Sequence, residues 1–130
     1  MNDIKVIRFD NLHDIELPHV FECGQCFRWN ECEDGSYIGV AGGHAAHVSL
    51  EHDGDSCSLI IECTGGSEEY WHSYFDLDTD YGAMKKVLLA GEPKLAKSID
   101  VCHGIRILNQ DYWEVLISLI VSQNKNKPRI

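Results

Sequence analysis

Between residues 115 and 121 the chain is apolar on nearly every side of a helix, with Leu116, Ile117, Leu119, Ile120 and Val121 leaving no polar stripe. Such a helix has to be buried between other elements. The residues before it are needed for a sheet and its own helices, so little of this chain is left to cover it. A second, helical domain is therefore expected to begin here and to continue outside the 130 residues. The helix runs into Ser122-Gln123-Asn124-Lys125-Asn126-Lys127-Pro128-Arg129-Ile130. Amides that both donate and accept, set beside cations at a helix end, suit phosphates and base edges.

Charge agrees with that placement. The net charge of −10 opposes nucleic-acid binding, yet it is uneven. Residues 1–82 carry 17 acidic groups against Lys5, Arg8 and Arg28, whereas residues 83–130 carry 8 basic groups against 4 acidic ones. A DNA contact is expected at the C-terminal end and a solvated acidic face elsewhere; charge that serves solubility alone is the competing explanation. No apolar run approaches the roughly 20 residues of a membrane span. Met1-Asn2-Asp3-Ile4-Lys5 lacks the layout of a signal peptide. A soluble, cytosolic protein is expected.

In that compartment the six cysteines are expected to stay reduced. Cys23-x-x-Cys26 has half the spacing of a zinc site, and His44 and His47 offer two nitrogens, but no second C-x-x-C follows. Cys26 reads better as a small buried strand residue beside Phe27 and Trp29. No metal site and no cofactor are expected.

The first part reads as an antiparallel sheet. Lys5–Phe9 and Cys26–Asn30 alternate polar and apolar, Asp34-Gly35 marks a hairpin turn into Tyr37–Val40, and Asp53-Gly54-Asp55 separates strands over 45–50 and 58–61. Helices follow. Ser67 caps one reaching Tyr74, Asp80 caps one reaching Leu89, Pro93 opens one reaching Cys102, and Asp111 with Glu114 forms a capping-box pattern before the last.

Gly24 precedes the apolar run Cys26-Phe27-Arg28-Trp29, where a glycine lets another group approach the backbone and use its carbonyl. A plain strand-entry turn explains that glycine equally on chemistry alone. Four segments together carry more. Gly24-Gln25-Cys26-Phe27-Arg28-Trp29, Tyr74-Phe75-Asp76-Leu77-Asp78, Gly104-Ile105-Arg106-Ile107-Leu108-Asn109-Gln110-Asp111 and Ser122-Gln123-Asn124-Lys125-Asn126 resemble, in order and spacing, the N-terminal half of the 8-oxoguanine DNA glycosylases of the helix-hairpin-helix superfamily.

The resemblance implies an α+β fold, an antiparallel sheet flanked by helices similar to the TATA-binding protein, over residues 1–105. Residues 106–130 would begin the all-α helix-hairpin-helix domain. It implies that the Gly24 carbonyl reads the flipped base, because 8-oxoguanine carries a proton at N7 where guanine has a lone pair. A matched hydrogen bond contributes about 0.5–1.5 kcal/mol net and an unmatched buried polar group costs about 1–3 kcal/mol, enough to separate the two bases. Asn124 would enter the space left by the extruded base, and Arg129 would donate to N3 and O2 of the opposite cytosine. Lys125 would lie near phosphate and Asn126 would support the loop. Taken without the family, Asn124 is a helix C-cap amide and Arg129 a solvated cation.

The family's nucleophilic lysine and essential aspartate would lie downstream, so no catalytic residue is assigned in this chain. Lys94, Lys97 and Lys125 are not at the equivalent position and read as exposed, whereas a Schiff-base lysine needs a desolvated pocket. The expected partner is double-stranded DNA containing oxidised guanine, the full-length form a monomer, and its location cytoplasmic, at the nucleoid in a prokaryote or the nucleus in a eukaryote. The alternatives are a non-catalytic protein- or DNA-binding module and a cysteine-based metal or redox protein.

Overall fold

The computed structural model describes residues 3–123. Five strands form one antiparallel sheet in the order β1-β5-β4-β3-β2, from β1 (Lys5–Leu12), β2 (Trp29–Glu31), β3 (Tyr37–Ala41), β4 (His44–Asp53) and β5 (Ser56–Cys63). Helices α1 (Leu17–Phe21), α2 (Glu68–Tyr74), α3 (Tyr81–Gly91), α4 (Ala96–Val101) and α5 (Tyr112–Ser122) complete the described chain, with a 3-10 turn at Pro93–Leu95. The α+β class expected from the sequence is the one found.

Strand alternation sets the two faces of the sheet. Ile7 pairs with Ile61, Ile61 with Val48, and Val48 with Tyr37, so one row of buried side chains crosses four strands. Phe21 of α1 lies on this row, stacked on Trp29 at 4.6 Å and tilted against Tyr37 at 4.8 Å. Trp71 and Tyr74 of α2, with Phe75, complete the core. The opposite face stays wet, as antiparallel sheets allow: Arg8 bridges Asp10 and Glu51, and Val6 and Ile38 are exposed.

One expectation needs correcting, and one helix was not expected. The strand placed over Cys26–Asn30 begins only at Trp29, because residues 24–28 form the entry turn and Cys26 is buried outside the sheet. The short α1 carried no helical period to detect; Leu17-Pro18 opens it through proline at the first turn, without a side-chain cap. The caps at Ser67 and Asp80 form as expected, accepting from Tyr70 N and Ala83 N. Asp111 accepts from Glu114 N, but the Glu114 carboxylate turns away to Arg28, which leaves half a capping box.

Helix α5 buries none of its residues, and Leu116, Ile117, Leu119 and Ile120 are exposed.

Candidate nucleic-acid interface

The turn that carries Gly24 is built from the side chain of its neighbour. Gln25 Nε2 donates to Val20 O at 2.9 Å and to Arg106 O at 2.7 Å, while Gln25 Oε1 accepts from Leu108 N at 2.9 Å. Gln110 Nε2 donates to Gln25 O at 2.7 Å. The amide thus substitutes for a strand partner and fastens residues 106–110 along the turn. Gly24 itself is exposed with φ +91°, in the region that disfavours L side chains, and a Cβ there would meet open space.

A second motif is tied to the first beneath this turn. Trp29 Nε1 donates to Tyr74 OH at 3.0 Å in the core, and burial pushes the Tyr74 phenol well above its usual pKa. Asn109 N donates to Tyr74 O, and Asn109 Nδ2 to Ser73 O at 2.7 Å. Asp76, at φ +53°, accepts from Tyr81 OH at 2.6 Å and from Thr79 Oγ1 at 2.9 Å.

Arg106 is the residue that sequence reasoning passed over. It is buried, donating to Asp76 O and His13 O at 2.8 Å each, and its guanidinium lies 4.6 Å over the Tyr81 ring. Desolvation by burial lowers its pKa, with Tyr81 and Asp14 opposing. A cation inside the apolar run Ile105–Leu108 was the available signal. Nearby, Gly104 N donates to His19 Nδ1 and Gly104 O accepts from Glu16 N, and a Cβ on Gly104 would overlap the Glu16 backbone.

The motif around Gly24 also reaches α5. Arg28 Nη1 and Glu114 Oε1 are 3.2 Å apart, and Glu114 Oε2 accepts from Gly42 N at 3.4 Å. Between them lies a narrow crevice of about 20 Å³ lined by Gln25, Phe27, Val40, Gln110, Val115 and Leu119, among others. Burial raises the pKa of neighbouring Tyr70, with Glu114 and Asp111 adding to it. The fold thus brings the Gly24 turn beside the first turns of the helix that precedes residues 124–130. Asn124, Lys125, Asn126 and Arg129 lie outside the described residues. Lys94 and Lys97 are exposed.

All six cysteines are free. Cys23 is exposed, with its Sγ against Val20 O, and Cys26 is buried, with its Sγ against Phe21 O. His44 and His47 point away from each other, since a spacing of three in a strand selects opposite faces; His44 packs against Tyr70 and Trp71. Among the described residues the ligand-type group that the fold does assemble is Cys32, Asp34 and His47.

The comparisons agree with this arrangement of motifs. The family model for the 8-oxoguanine DNA glycosylase N-terminal domain matches residues 7–116. The N-glycosylase/DNA lyase OGG1 of Arabidopsis thaliana is 25% identical over 120 residues, covering 90% of this chain and 33% of that protein. The N-glycosylase/DNA lyase of Saccharomyces cerevisiae is 31% identical over 133 residues, covering 92% and 35%. MBOgg1 in complex with a low-affinity DNA ligand superposes with a TM-score of 0.83 at 43% identity, over 97% of this chain and 44% of that one. The Clostridium acetobutylicum 8-oxoguanine glycosylase/lyase in its apo form gives 0.80 at 41%, over 98% and 45%. The chain spans about a third of the length of these curated relatives. Matched across most of its length by sequence and by structure, the chain belongs to the 8-oxoguanine DNA glycosylase N-terminal domain family.

Proposed function

We propose that this chain is the N-terminal part of a base-excision-repair DNA glycosylase and AP lyase that removes 8-oxoguanine from duplex DNA by base flipping. The observation that carries this reading is the Gly24 turn: an exposed glycine at φ +91° fixed by Gln25 to the segment that leads into α5. A rigid backbone edge beside the next domain is what reading a flipped base through a carbonyl requires. The clostridial glycosylase/lyase that this chain resembles at 38% identity has been solved with double-stranded DNA containing cytosine opposite 8-oxoG, which supports the same substrate here.

In this reading residues 1–105 form the recognition domain and residues 106–130 open the helical domain, whose remaining helices cover the exposed apolar surface of α5. Asn124 and Arg129 contact the widowed cytosine, Lys125 lies near phosphate, and Asn126 supports that loop. The parent works as a monomer in the cytoplasm, at the nucleoid in a prokaryote or in the nucleus in a eukaryote. The 130 residues alone are inactive, because Lys94 and Lys97 are exposed on the surface and a Schiff-base lysine needs an enclosed, desolvated pocket.

The deciding experiment measures binding and cleavage of a lesion duplex by this chain, alone and mixed with a separately produced helix-hairpin-helix half of a homologue. Activity confined to the mixture supports the reading. Turnover by the chain alone, or an inert mixture with a folded chain, overturns it. The exposed α5 surface equally suits a non-catalytic binding module, which the inert mixture would favour.

A further inference from the structure

The turn between β2 and β3 gathers three side chains of ligating type. Cys32 N donates to Ser36 O at 2.7 Å and Gly35 N to Cys32 O at 3.1 Å, closing the loop with Gly35 at φ +85°. Ser36 N donates to Asp34 Oδ1 at 3.0 Å, which sets the carboxylate. From β4, His47 stands opposite Ile38 on the wet face of the sheet. The Cys32 sulfur, a carboxylate oxygen of Asp34 and a ring nitrogen of His47 all lie within 4.8 Å of one another.

The imidazole is oriented from behind. His47 Nδ1 lies 3.5 Å from the Glu62 carboxylate, on the residue directly paired with it across β4 and β5. Its Nε2 faces the turn, 2.7 Å from the Ser36 hydroxyl, which also donates to Asp34. A carboxylate behind one ring nitrogen, with the other facing a turn that carries a thiol and a second carboxylate, resembles the arrangement that outer-sphere partners give to metal-bound histidines. The ligand set selects its cation: thiolate and imidazole favour the zinc class over magnesium or calcium. Asp34 is exposed, and Cys32 and His47 are half-buried, so entry from solvent is open.

We propose that Cys32, Asp34 and His47 bind one divalent cation of the zinc class, with water in the fourth position, pinning the β2–β3 turn to β4. Binding displaces the Ser36 hydroxyl from His47 Nε2, the Nε2 proton moves by way of solvent to Nδ1, which faces Glu62, and the Cys32 thiol gives its proton to solvent as the metal–sulfur bond forms. The site is independent of the DNA-facing turn at Gly24 and of whether the parent is a glycosylase.

The test is a Co²⁺ titration of the full chain under a non-thiol reductant, reading the thiolate-to-cobalt charge-transfer absorption. One equivalent should saturate the band. Cys32→Ser should abolish it, and His47→Gln and Asp34→Asn should weaken binding, while the double variant Cys23→Ser/Cys102→Ser should retain it. Glu62→Gln should lower affinity about tenfold, the lower end of what outer-sphere partners contribute. Zn²⁺ should raise the melting midpoint of the wild type and leave that of Cys32→Ser unmoved, with far-ultraviolet circular dichroism confirming that each variant is folded. A folded wild type without the band, a band that survives Cys32→Ser, or one that disappears in the Cys23/Cys102 variant overturns the proposal.

Discussion

The carboxamide of Gln25 is hydrogen-bonded to the backbone of Leu108 as a neighbouring strand would be, with Oε1 accepting from Leu108 N at 2.9 Å. The same amide reaches Arg106 O, so one side chain closes a gap in the sheet's periphery 83 positions along the sequence. Truncation to alanine strands two carbonyls and one amide N–H in a partly buried position. Gln25→Ala is expected to destabilise the domain by about 2–4 kcal/mol, since each unsatisfied buried group costs about 1–3 kcal/mol. Urea unfolding measures it, and a cost below about 0.5 kcal/mol would show the stitch to be incidental.

The two motif glycines should answer alanine differently. Gly24→Ala meets no atom but holds φ at +91°, so it costs about 1–2 kcal/mol and leaves the fold intact. Gly104→Ala drives a methyl into the Glu16 backbone and should cost more than 3 kcal/mol, roughly the range of severe core defects. Thermal melts of the pair rank them directly.

Arg106→Met removes a buried guanidinium that satisfies three carbonyls, those of His13, Asp76 and Thr79. Expected destabilisation is about 3–5 kcal/mol, because the carbonyls stay buried without donors. Arg106→Lys should rescue little, since one ammonium cannot span three acceptors held by a planar fork. Equal stability of the lysine variant and wild type would contradict this.

The Arg28–Glu114 pair is half exposed, so Arg28→Ala should change stability by less than about 1 kcal/mol. Its coupling to Glu114 in a double-mutant cycle should shrink with added salt. A larger, salt-insensitive coupling would mean that this pair sets the angle of α5.

Alkaline pH tests the core. Burial, with Glu22 and Glu31 nearby, raises the Tyr37 phenol from 10.0 to about 12. The native state therefore keeps its proton between those values while the unfolded chain loses it. Stability is full below pH 10 and falls as pH climbs from 10 towards 12. Tyr37→Phe should flatten that limb of the curve; an unchanged slope would assign alkaline unfolding to Tyr74 and Tyr81 instead.

The sheet was legible because its strands alternate between one buried and one wet face, and turns such as Asp53-Gly54-Asp55 announce themselves chemically. Caps at Ser67, Asp80 and Asp111 were legible for the same local reason. What stayed hidden is long-range. Nothing near Gln25 in sequence says that its amide faces Leu108, or that Arg106 aims inward at His13 O. Nor does Cys32 announce His47, which arrives through the pairing of β3 with β4. The family motifs marked the Gly24 turn without revealing that most of their residues are joinery beneath it.

The joinery has a consequence for the order in which the protein is made. β1 finds its partner β5 only after residue 63, and the Gly24 turn is not locked until residues 106–110 arrive. Contacts so distant along the chain form late and raise the barrier to folding. A nascent chain leaving the ribosome therefore carries an unlatched Gly24 turn. The latch closes only once residues 106–110 have left the ribosome.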